Sequence, residues 1–441
     1  MRNLIFASLW IALFPMVLFS THIGVLIWIW LSLSTPQEKI YDIVNGVQFN
    51  RIVAIMTFIT VMIRKEKKDF YLDTTTALYT LFVIQIILAD QFALSSYDFG
   101  FVIEKVVKTY ALYMMINGIM YTRHRIHMAV FAYCIGLAME SSFEGAAFVL
   151  TGAAHKVYGT PGLGDNNGAA LAVLLSIPMC YFCLQYASHK LMRLGLIGLI
   201  VLSALTVVAT YSRGGFVGLL ICGFFLIGRT RKKLPIVLMV GVIGIGLSYM
   251  VGQDWIDRIN SIGQADDNGS FLGRVMAWKI SLLMAIDHPI FGGGLNAVTV
   301  YNNWRVYAPV ASTMGILDIP DPGYALAAHN IFFEVLGDTG FPGLFMFAGI
   351  LAVNMFNCSR IIHAARKDPS LGWAGDMARM MQVSLIIYVT AGSLLSYAYY
   401  ESYWILIAIS SRLNHTVMAL RAAKPVRDAD GFLAEARPLA S

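Results

Sequence analysis

Three residues capable of chemistry stand where apolar stretches give way to polar ones. They are Arg213 in T-Y-S-R-G-G, Arg274 in F-L-G-R-V-M-A-W and His329 in A-A-H-N. A guanidinium offers a planar fork of donors that matches phosphate oxygens in pairs. Gly214 and Gly215 follow Arg213 directly and leave backbone N–H groups open at a helix start, where the helix dipole also favours an anion. An imidazole of ordinary pKa, ~6.5, accepts a proton near neutral pH. These types together support binding of a phosphate-like anion beside a general base. Each also has a plain structural use: an interfacial Arg can snorkel, and a His before a helix can cap it.

Other candidates surround them. Tyr211 precedes Arg213, and Asn330 follows His329. Arg258 and Arg305 share the polar segment that holds Arg274. Asp338 falls on a helical face near His329, with Glu334 between them, and Glu140 and Glu144 lie one turn apart in another apolar run. Acids in such runs are functional by default. Tyr301, Trp304 and Tyr307 are of a type that stacks on sugars, or that forms an interfacial belt. The F-G-G-G-L-N run at 291–296 reads as a turn. Cys180 and Cys183 form a C-x-x-C without a second pair, and read as small packing residues. Walker, H-E-x-x-H and outer D-x-D motifs are absent from the sequence, so neither a metal nor a nucleotide cofactor is expected.

The elements that position these residues are membrane helices. Of 441 residues, 58% are apolar and 13% charged, and the mean hydropathy is +0.66. That composition excludes a soluble enzyme, a disordered chain and a coiled coil. Apolar runs fall near 4–34, 50–63, 74–93, 101–121, 128–151, 168–186, 191–210, 213–228, 235–251, 330–357, 380–398 and 402–420. The first is long enough that Pro15 could divide it, and it reads as a retained anchor. Basic clusters follow every even run, from Arg64–Lys68 to Lys424–Arg427, which puts those loops and both termini in the cytoplasm. The net charge of +6 is thereby explained without nucleic acid.

The expected fold is all-α: a polytopic membrane protein of about twelve transmembrane helices with one large outer loop. Spans one to nine occupy 1–251, the large loop with interfacial helices 252–329, spans ten to twelve 330–420 and a cytoplasmic tail 421–441. Within the loop, 271–285 has the spacing of an amphipathic helix lying at the membrane surface. Phe271, Val275, Trp278, Leu282 and Ala285 share one face.

The residues resemble the O-antigen ligase/polymerase (Wzy-C) superfamily, of the WaaL-like ligase type. The resemblance rests on Y-S-R-G-G at 211–215, G-R-V-M-A-W followed by D-H-P-I-F-G-G-G at 287–294, and A-H-N-x-x-x-E-x-L-G-D-x-G-F-P-G at 328–343. It implies a glycosyltransferase of GT-C class architecture in the inner membrane, with its active site facing the periplasm. It implies transfer of a polysaccharide from undecaprenyl pyrophosphate to lipid A–core oligosaccharide, without metal, nucleotide or other cofactor and with inversion. By motif, Arg213 and Arg274 would bind the donor pyrophosphate and His329 would be the base. Membrane lipids, the lipid-linked donor and lipid A–core are the expected partners; nucleic acid is not.

The alternatives are an O-antigen polymerase and a protein O-oligosaccharyltransferase of the same superfamily, including the exosortase-associated type. A lipid-linked sugar transporter belongs to a different class. It is disfavoured because no internal repeat is visible and the unusual charges gather at one face.

Overall fold

A computed structural model describes residues 12–35, 48–95, 100–160, 164–229, 241, 244, 269–315 and 318–423. Among these the regular secondary structure is helical apart from one two-residue antiparallel ladder, Gly159–Thr160 with Gly164–Asp165. The helices are α1 (Thr21–Ser34), α2 (Phe49–Ile63), α3 (Thr74–Gln91), α4 (Gly100–Ile119), α5 (Arg123–Leu150), α6 (Asn166–Tyr186), α7 (Lys190–Ala209), α8 (Arg213–Arg229), α9 (Gly269–Asp287), α10 (Tyr301–Thr313), α11 (Ile331–Lys367), α12 (Gly372–Gly392) and α13 (Glu401–Ala422).

Four of the described helices are long and apolar enough to cross a membrane: α5, α6, α7 and α11. The ninth apolar run, 235–251, lies outside the described residues apart from positions 241 and 244. In the first run the helical backbone breaks at Ser20, which is extended (φ −154°), and not at Pro15.

Helix α6 is the axis of the bundle. Residues 168–180 are buried without interruption, so it has no solvent face and reads as a helix apolar all round. It packs against α5, α7, α8 and α12. Ser384 of α12 donates to the Leu175 carbonyl at 2.9 Å, which fixes the two helices in register. Polar caps set the starts. Asp73, Thr122, Asp165 and Asn330 accept from backbone N–H groups of the first turns of α3, α5, α6 and α11.

Helix α11 is not straight. Gly340 has φ +69° and interrupts it just before Pro342. The glycine-rich turn after α9 fills the break. Gly293 and Gly294 donate to the carbonyls of Gly337 and Asp338 at 2.7 and 3.1 Å, and Phe341 donates to Pro289 O at 3.0 Å. Gln85 of α3 donates to Thr339 O at 3.0 Å and to Ile290 O. The F-G-G-G run is thus a turn, made of glycine because it lies against bare backbone.

Residues 269–315 and 318–328 build a small core beside the bundle. Met276, Ile280, Met284, Trp304, Tyr307 and Ala308 form its centre. The amphipathic helix exists, over Gly269–Asp287, but its buried stripe runs through Met276, Ala277, Ile280 and Met284. Phe271 is exposed and Val275 and Trp278 are half-buried. The stripe is rotated because the helix packs on α10 and α11. Trp304 and Tyr307 are 0% and 8% exposed, so they are core residues and offer no face to a sugar.

Candidate functional site

The site is built around the start of α11. Asn330 caps that helix, its Oδ1 accepting from Phe332 N at 2.9 Å and Phe333 N at 3.3 Å. His329, just before the cap, has φ +44°, a left-handed backbone that is uncommon for a residue with a Cβ. Two groups hold the chain there. The Trp278 indole N–H donates to Ala328 O at 2.6 Å, and His329 N donates to Ser396 Oγ at 3.1 Å. The Trp278 ring also stacks on Phe333, with centroids 5.4 Å apart and planes at 6°.

Arg274 lies one helical turn before Trp278, on the same side of α9. The next residue towards the N-terminus, Gly273, faces Leu326. The indole clasp therefore brings Arg274 to the segment that ends in His329. The electrostatics agree. Partial burial pushes the His329 pKa below the ordinary histidine value, the Arg274 cation pushes it the same way, and Asp165 pulls it back in part. A lowered value leaves the imidazole neutral at pH 7 and able to accept a proton.

Asp165 connects this corner to the starts of α6 and α8. Its Oδ1 caps α6 by accepting from Gly168 N at 2.8 Å. Asn166 Nδ2 donates to Thr210 O at 2.9 Å, and Ser212 Oγ donates to Asn167 Oδ1 at 2.7 Å. Ser212 Oγ also accepts from Gly215 N at 3.0 Å. Tyr211 has φ +52°, and its hydroxyl donates to Ala153 O at 3.2 Å while Lys156 lies over its ring. A Cβ on Gly215 would come within 2.7 Å of the Ala170 Cβ, so this glycine is required by helix packing. Gly214 faces Leu394, in the same turn that carries Ser396. Arg213 opens α8 between these contacts; its side chain lies outside the described residues. The starts of α6, α8 and α11 thus meet around His329 and Arg274, with the 393–400 turn bridging α8 and α11.

Other candidates fall elsewhere. Arg258 lies outside the described residues, as does the Glu140 side chain. Arg305 is exposed on α10, its guanidinium 5.9 Å from the Tyr301 ring centroid. Asp338 is buried at the break in α11, with the glycine turn. Glu144 pairs with His155, Oε2 to Nε2 at 2.6 Å. Glu334 accepts from Ala398 N at 3.0 Å and so anchors the 393–400 turn. Among the described residues, no group of three His, Cys, Asp or Glu side chains is placed to hold a metal ion.

Sequence reasoning missed Ser396, Trp278 as a clasp, and Asp165 as a charge facing His329. Asp165 stood in the turn-rich G-L-G-D-N-N stretch, where D before a helix signals a cap. Nothing near Ser396 in the sequence sets it apart. A buried ion pair at Arg412 was also missed, although an arginine inside an apolar run was a visible signal. Arg412 is 1% exposed and bonds Asp69 Oδ2 at 2.6 Å, Asp69 O at 3.0 Å and Asn117 O at 2.8 Å.

Comparison with known families gives two matches. Residues 198–348 match the O-antigen ligase family, a span that takes in Arg213, Arg274 and His329. Residues 1–182 match a family of unknown function, a span that includes Asp165. No curated protein matches the chain.

Proposed function

We propose, from the match of residues 198–348 to the O-antigen ligase family, that this chain is an O-antigen ligase. It takes polysaccharide from undecaprenyl pyrophosphate and attaches it to lipid A–core oligosaccharide at the periplasmic face of the inner membrane. A twelve-span GT-C architecture belongs to the same proposal. The observation that carries it is the approach of Arg274 to His329 at the joined starts of α6, α8 and α11, where burial and that cation both push the imidazole pKa down.

The chemistry follows from the charges. The leaving group is a lipid pyrophosphate, and negative charge develops on it as the bond from the anomeric carbon to the phosphate oxygen breaks. Fixed cations and helix starts stabilise that charge. Arg213 and Arg274 take this role, and the backbone at Gly214 adds a helix N-terminus beside Arg213. His329 accepts the proton of the attacking acceptor hydroxyl. Displacement from the opposite side inverts the anomeric centre. None of these steps requires a metal or nucleotide.

The test is transfer in reconstituted membranes holding lipid-linked polysaccharide and purified lipid A–core, followed by gel shift. Transfer by the unchanged chain, lost in His329→Ala, is the expected result. A chain that lengthens one lipid-linked polysaccharide with another, and ignores lipid A–core, is instead a polymerase. Transfer to a protein acceptor identifies an oligosaccharyltransferase.

A further inference from the structure

We propose that Ser396 and Trp278 are positioning residues that hold His329 in its left-handed backbone conformation and so aim its imidazole. The relevance to catalysis rests on the reading of His329 as the base. The geometry stands on its own. The peptide joining Ala328 to His329 is gripped on both sides: its carbonyl accepts from the Trp278 indole at 2.6 Å, and its N–H donates to Ser396 Oγ at 3.1 Å. Asn330 fixes the next residue as the helix cap. A non-glycine residue in the left-handed region costs roughly 1–2 kcal/mol and persists where its surroundings over-determine it. Here those surroundings are two hydrogen bonds from parts of the chain far away in sequence.

The two grips differ in what else they hold. Ser396 sits on the turn between α12 and α13, which is tied back to α11 by Ala398 N donating to Glu334. Its bond reaches His329 alone. Trp278 sits one turn after Arg274, so its bond fixes the distance between the base and the cation. Loss of the serine hydroxyl should therefore act on the chemical step, and loss of the indole N–H on both the chemical step and donor binding.

The experiment uses Ser396→Ala, Ser396→Thr and Trp278→Phe in the full-length protein. Trp278→Phe keeps a ring to stack on Phe333 and deletes only the donor. The first readout needs no enzymatic activity: the rate at which diethyl pyrocarbonate modifies His329, read by mass spectrometry of its peptide. Freed of one hydrogen bond, His329 should react about fivefold faster in Ser396→Ala and Trp278→Phe, and at the original rate in Ser396→Thr. The second readout is transfer. Ser396→Ala should lower kcat about fivefold with donor KM unchanged, and Ser396→Thr should restore it. Modification rates that stay the same or fall overturn the proposal, as does a loss of transfer with His329 reactivity unchanged. If Ser396→Ala fails to fold, Trp278→Phe carries the same test. Absence of transfer by the unchanged chain defeats the ligase reading instead, and the modification rates still decide this one.

Discussion

Gly292 and Gly340 meet backbone to backbone: a Cβ on Gly292 would lie 2.7 Å from Gly340 N, and one on Gly340 would lie 3.0 Å from Gly292 N. Both have positive φ, +63° and +69°. The contact lets the turn after α9 enter the break in α11, and so sets where α9 stands relative to the helix that His329 precedes.

Alanine at either glycine should be strongly destabilising. The left-handed backbone and the clash together cost about 2–4 kcal/mol. Thermal unfolding in detergent measures it. A midpoint within error of the unchanged protein for both Gly292→Ala and Gly340→Ala would show that the turn and the break are not in contact.

His329→Ala should reduce transfer by about 10²–10⁴-fold, the usual contribution of a general base. Steady-state kinetics with donor and acceptor varied separately would show the loss in kcat. A variant that retains full kcat removes His329 from the reaction.

The pH–rate profile gives a signed test. Burial and the Arg274 cation hold the His329 pKa below its ordinary value, so transfer should persist under mildly acid conditions and fall only as pH drops through that lowered pKa. Arg274→Gln removes a cation, which raises the pKa and moves the acid limb to higher pH. Asp165→Asn removes an anion and moves it to lower pH, while asparagine still caps α6. Shifts of the same sign in both variants would contradict this arrangement.

The Arg412–Asp69 pair should break asymmetrically. Arg412 is buried and Asp69 is about a third exposed, at 2% and 36% for the side chains. Asp69→Ala leaves a buried cation without its carboxylate and should cost ~3 kcal/mol. Arg412→Met leaves a carboxylate that water can reach and should cost less. Comparison of the two unfolding midpoints checks the order.

Trp304→Ala should unfold the 269–328 segment without a separate effect on sugar recognition, because the ring is wholly buried and its Nε1 donates to Asp321 at 3.0 Å. Tyr301→Ala, at an exposed position, should leave stability within ~0.5 kcal/mol. Limited proteolysis distinguishes the two.

Much of this molecule was legible in the residues. Apolar run length follows from the thickness of hydrocarbon, so α5, α6, α7 and α11 could be placed before any coordinates. Arg213, Arg274 and His329 drew notice because charged and titratable groups at apolar boundaries are costly without a task. The α9 helix was visible in its periodicity, since spacing of 3.6 residues is a local property. Its buried face was not, because that depends on which neighbour it meets, and the 269–328 segment meets itself and α11. Trp304 was misread for the same reason: an aromatic ring in an interface and one in a core are alike in sequence. Ser396 is the sharpest case. One serine among many acquires its role only because α12 and α13 return the chain to the start of α11, and a hydrogen bond of 3.1 Å exists only after that return. The sequence determined the long apolar helices and singled out Arg213, Arg274 and His329 as candidates, because those follow from composition and local spacing. Tertiary structure decided which groups grip the backbone at His329, because that depends on contacts between residues far apart in the chain.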